Sequence, residues 1–195
     1  MAMEPLLALC AGIALAAASG FRVFVPMLAL GIAARSDVIN PSAGLEWVES
    51  IPALVVFGTA TVAEIAAYYV PWVDHALDTV TTPGSVVAGS LAAAAAMGDF
   101  GGVDPAIKWT LAIIGGGGAA AVVQGGTVLT RALSGMTTGG FGNPVVSTGE
   151  AAGSIVLSIL AIVVPLLAAA VVILLIGWVI RLFVRWRRRR ALPAM

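Results

Sequence analysis

The chain has 195 residues, 60% of them hydrophobic and 10% charged, with a mean hydropathy of +1.05. A soluble domain carries roughly 25% charged residues, so these numbers exclude a soluble globular enzyme, and the apolar content excludes intrinsic disorder. Net charge is zero but uneven: Arg181, Arg185 and Arg187 to Arg190 hold six of the ten basic residues, which leaves positions 1–180 at −6.

The amino-terminal Met-Ala-Met-Glu-Pro has an acid and no Lys or Arg ahead of the first apolar run, the wrong flank for a cleaved signal peptide. Cys10 is the only cysteine, which rules out an intrachain disulfide and a cysteine metal site. A hydrocarbon core needs roughly 20 helical residues, and five apolar segments meet or approach that length. The first runs from Leu6 to Ala34, interrupted by Ser19-Gly20, Arg22 and Pro26, and is either tilted or broken near Gly20. The second, Ile51 to Val70, carries one charge, Glu64. The third, Val86 to Met97, is too short to cross unless Ala76 to Thr82 joins it, which places Pro83-Gly84 inside. This pattern predicts a helix break at Thr81 to Gly84, with Thr82 capping the half-helix that follows. The fourth segment, Ile107 to about Leu133, contains Gly115 to Gly118, glycines that suit close helix packing. The fifth, Ala151 to Phe183, contains Pro165.

Five spans followed by a basic tail predict a cytoplasmic C-terminus and an external N-terminus. On that count Arg35, Lys108 and the tail lie inside and Arg131 outside. Asn40-Pro41 and Asn143-Pro144 sit 103 residues apart after similar glycine-containing helices, which suggests repeat units at 6–71 and 107–183. A displacement of three spans makes that repeat inverted, a common transporter device. The expected organisation is one transmembrane domain, 1–183, and a basic cytoplasmic tail, 184–195, able to touch anionic lipid head groups. A nucleic-acid partner is not expected from a charge run so placed.

Ionisable residues within spans are costly and mark function by default. Arg22 and Glu64 are the clearest, and they are expected to pair across the first two spans. Tyr68 lies one turn after Glu64, close enough to bond to it. Asp74 and Asp78 share a helix face beside His75. Arg131 and Glu150 flank the fourth-to-fifth connection, although Ser147-Thr148-Gly149-Glu150 also fits a capping box with Ser147 as N-cap. Asn143 completes the candidate set. A single histidine and the lack of a His-Glu-x-x-His, Walker A or dinucleotide motif leave no catalytic, metal or cofactor assignment. Trp47, Trp72, Trp109, Trp178 and Trp186 fall near predicted span ends, where an aromatic belt places them.

Ser19-Gly-Phe-Arg-Val-Phe-Val-Pro26, Glu64, Tyr68-Tyr-Val-Pro-Trp-Val-Asp74, Gln124-Gly-Gly126 and Thr137-Thr-Gly-Gly-Phe-Gly-Asn-Pro144 together resemble the bacterial membrane family known as domain of unknown function 4126, over about Leu7 to Phe183. The resemblance implies a bacterial inner-membrane location and no activity. The expected protein is therefore an all-α integral membrane protein of about five helices, at least one of them discontinuous. Its expected role is non-enzymatic, as a small channel or secondary transporter for an ion or small solute. The alternative is a scaffold or lipid-interacting protein whose buried charges only fix packing. A homo-oligomer is compatible with either.

Overall fold

Alanine and glycine set the architecture, because small side chains let helix backbones approach closely. The computed structural model describes residues 3–70 and 73–190, of which 3, 74, 75, 101 and 186–190 are described by backbone alone. Among the described residues every regular element is helical. Helix α1 (Met3–Ser19) is central, with Ala14 to Gly20 buried throughout. Helix α4 (Val73–Ala96) crosses it antiparallel, so that Gly12 faces Ala93 while Ala16 faces Gly89. A short α5 (Pro105–Leu111) passes through a π-helical turn (Ala112–Gly117) into α6 (Gly118–Thr138). That run lies parallel to α1: Ile13 meets Gly115, and Gly20 meets Ala120 and Val123. A Cβ on Gly116 would lie 2.6 Å from the Ala93 Cβ, and one on Gly117 2.6 Å from the Ser90 hydroxyl. These two glycines serve packing, as expected.

The chain does break at Gly20, and the break reverses its direction. Helix α2 (Phe24–Arg35) returns alongside α1, so Val38 to Asn40 line one cavity of about 950 Å³ together with Glu4, Leu7 and Ala8. The first apolar segment is thus a helical hairpin with a buried tip at residues 20–23. Helix α3 (Ile51–Ala67) follows a 3-10 turn at Glu46–Glu49, capped at its start by the Ser50 hydroxyl. Ser42 ties this connection to the end of α4 through the carbonyls of Ala94 and Gly98.

Two prolines depart from expectation in opposite directions. Thr81 to Gly84 does not interrupt α4, which runs continuously with Pro83 inside it. The Thr82 hydroxyl donates to the Asp78 carbonyl at 2.6 Å and does not cap a new helix, while Ser85 donates to the Thr82 carbonyl at 2.9 Å. A proline removes one backbone donor, and the rest of α4 keeps its helical course across it. At Pro165 the opposite happens: Val164 leaves the helical region (φ −138°, ψ 71°), and the fifth segment divides into α7 (Asn143–Val163) and α8 (Pro165–Arg190). Gly139 and Gly140, at φ +63° and +93°, turn α6 into α7.

Among the described residues three stretches are long and apolar enough to cross a membrane: Pro105–Thr138, Asn143–Val163 and Pro165–Arg185. Their outward faces carry exposed Ile155, Ile159, Val163, Leu167, Ile173 and Leu174. The five expected segments do not map onto these one to one.

Arg35 and Lys108 are also displaced from their expected side. Lys108 bonds to the Gly98 carbonyl and Arg35 to the Glu49 carbonyl. Both lie at the end that holds Glu4, Asn40 and Asp99, from which α8 runs away toward the arginine tail. The cause is the hairpin, which returns the chain after α2 to the side on which it began.

Candidate functional site

The buried hairpin tip needs partners for its own backbone, because the first amides of a helix have no intrahelical acceptor. Glu64, near the end of α3, supplies them: its carboxylate accepts from the Val23 N–H at 2.8 Å and the Phe24 N–H at 3.1 Å. A buried carboxylate thus caps α2, favourably placed at the positive end of the helix dipole. Glu64 does not bond to Arg22, contrary to expectation, since its two oxygens face the tip amides.

Arg22 turns instead toward α7. One terminal nitrogen donates to Glu150 at 3.0 Å and to the Phe21 carbonyl at 3.0 Å. The other donates to the Ser147 carbonyl at 2.9 Å and the Ser147 hydroxyl at 2.7 Å. Glu150 is shared, because Arg131 of α6 also binds it, through Nε at 3.2 and 3.1 Å and through a terminal nitrogen. The remaining nitrogen of Arg131 pairs with Asp78 of α4. Ser147 and Glu150 are no capping box, because α7 already begins at Asn143, and both side chains are committed to arginines.

Tyr68, which follows α3, lies between these groups. Both guanidinium carbons stand 4.1 Å from its ring centroid, a distance at which a cation is attracted to the ring face. Its hydroxyl meets Asp78 at 3.3 Å and Thr81 at 3.0 Å, not Glu64 as expected. Thr81 in turn accepts from the Gln124 amide at 3.3 Å. The structure therefore gathers Arg22, Glu64, Tyr68, Asp78, Arg131 and Glu150 into one network drawn from the hairpin tip, α3, α4, α6 and α7. Asn143 is buried at the start of α7, one turn before Ser147. Asp74 begins α4 one turn before Asp78, and its side chain, like that of His75, lies outside the described residues.

Thr81, Gln124 and Ser147 also belong to the network, a role the sequence did not indicate for them, since it pointed to Thr81 as part of a helix break and to Ser147 as an N-cap. Gln124, a polar residue within an apolar helix, was the available signal. Beside the network a cavity of about 190 Å³ opens between α6, α7 and α8, walled by Phe21, Gly126, Val179 and Trp178 and reaching Glu150. Among the described residues the network holds three carboxylates and two guanidiniums. Arg22 has 1% exposure and Glu64 6%, so these charges are held away from bulk water.

The family described as Domain of unknown function (DUF4126) matches residues 9–185. No curated protein matches the chain, and no solved structure does.

Proposed function

The chain belongs to this DUF4126 family, a description that carries no activity, and we propose from the site itself that it is a small secondary transporter of a bacterial inner membrane. The observation that supports this reading is the network of five ionisable side chains, buried beside a broken helix. Charges in such a setting are expensive and mark ion or substrate pathways, and broken helices are where transporters place their binding sites. One carboxylate would serve to lock a hairpin, whereas five charges from five segments exceed that need. The sealed state of Arg22 favours a carrier that opens in alternation over a standing channel.

The orientation in this reading places the arginine tail in the cytoplasm. The end bearing the N-terminus holds Glu4, Asp37, Glu46, Glu49, Asp99 and Asp104 against Arg35 and Lys108 alone. The opposite end carries the tail arginines, and an excess of Lys and Arg marks the cytoplasmic side. The tail would contact anionic lipid head groups there.

The second reading, a scaffold, draws on the complete carboxylate pairing of both arginines. Purified protein in liposomes separates the two. Gradients of protons, sodium, potassium and chloride should reveal a flux above that of empty vesicles, and Asp78→Asn should suppress it while the protein stays folded. Flux equal to empty vesicles for every gradient, with Asp78→Asn only lowering stability, would establish the scaffold instead.

A further inference from the structure

Among the described residues of the network, one carboxylate has no cation in contact. Glu150 engages both guanidiniums and Asp78 engages Arg131, while among the described residues Glu64 lies in ion-pair contact with no cation. Its partners are two backbone amides of the hairpin tip. Among the described residues the charges that act on it are Arg22 from the tip and Arg131 from α6, whose own partners are Glu150 of α7 and Asp78 of α4, with Tyr68 one turn further along its own segment. Helix α2, which packs on α3, contributes no charge before Arg35.

We propose that Glu64 is the proton-binding site of the transporter and that its protonation releases the N-terminus of α2. A proton is the smallest cation that can reach a carboxylate so enclosed, at 6% exposure. It adds to one carboxylate oxygen. The oxygen that remains a carbonyl still accepts from Val23 at 2.8 Å, whereas the hydroxyl oxygen is a poor acceptor for the longer Phe24 bond. The charge that favours the helix N-terminus is lost in the same step.

Release at Phe24 has a distant effect because α2 is a single short helix. It begins in the network and ends at Arg35, and the residues that follow, Val38 to Asn40, wall the 950 Å³ cavity at the opposite end. Movement of α2 therefore connects the proton site with that cavity. The inference rests on the transport reading for its purpose, but the site is testable without transport.

The experiment is infrared difference spectroscopy of the whole protein in lipid, titrated with pH, together with hydrogen exchange over residues 21–30. A protonated-carboxyl stretch should appear on acidification, with faster exchange at the start of α2 after correction for intrinsic rates. Glu64→Gln should abolish the band and the pH dependence of exchange, while Glu150→Gln and Asp78→Asn keep both. If Glu64→Gln does not fold, Glu64→Asp should shift the band. A band that survives Glu64→Gln, or that vanishes with Asp78→Asn, overturns the proposal, as does pH-independent exchange of α2. Titration of Glu64 without any measurable flux would retain the proton site and remove the transport reading. Flux without titration would do the reverse.

Discussion

The guanidinium of Arg22 and the carboxylate of Glu150 meet at 3.0 Å, although 128 positions of chain separate them. Both are buried; Glu150 is the carboxylate that Arg22 contacts, while Glu150 also holds Arg131. Removing one member of a buried pair leaves an uncompensated charge, at a cost of roughly 3–5 kcal/mol. Glu150→Gln should lower thermal stability in detergent by that order, Arg22→Gln by less because Arg131 still holds Glu150, and the double variant should lose less than the sum. The cycle of Arg22→Gln with Glu64→Gln should show weaker coupling. Equal coupling in both cycles would contradict the contacts described.

The glycines around the π-helical turn should respond with opposite signs. Gly116→Ala drives a methyl to 2.6 Å from Ala93, and overpacking of this kind costs about 1–3 kcal/mol. Gly118→Ala enters open space two residues later, where replacing a helical glycine gains roughly 0.5–1 kcal/mol. Thermal melts of the two variants measure the difference.

Continuity of α4 predicts silence at a position inside it. Ser85 is fully buried, so Ser85→Cys in a Cys10→Ala background should resist a water-soluble thiol reagent. Ala43→Cys, exposed in the connection after α2, should react rapidly. Modification at position 85 in folded protein would restore a wet break at Pro83.

Because the hairpin reverses the chain, a reporter inserted at Gly44 and one fused after Met195 should read from opposite sides of the membrane. A simple five-span path puts them on the same side. The comparison decides between hairpin and span without reference to function.

How much of this was legible from sequence follows from what each signal depends on. Arg22, Glu64, Asp78 and Arg131 stand out because an ion in an apolar run is costly whatever surrounds it, and the structure gathers all four. Their pairing was not legible. The reversal at Gly20 presents Arg22 to α7, and the partners of Glu64 are backbone amides, which no matching of opposite charges can find. Pro83 and Pro165 look alike in sequence yet differ in outcome. Pro83 stays inside a continuous α4, while Val164 lies outside the helical region before Pro165. Ser147 was misread because a serine three residues before a glutamate has the same spacing at a helix start as it does one turn inside.

The distance in chain between Arg22 and its partners also bears on biosynthesis. Ribosomes deliver the hairpin tip long before α7, so Arg22 awaits its acceptors at Ser147 and Glu150 while more than a hundred residues are still being made. Glu64 arrives earlier and holds the tip amides, but the guanidinium stays unmatched, and a bilayer is a poor place for it. The hairpin should therefore remain at the translocon or interface until α7 emerges, and nascent chains halted before position 147 should leave residues 20–23 open to protease.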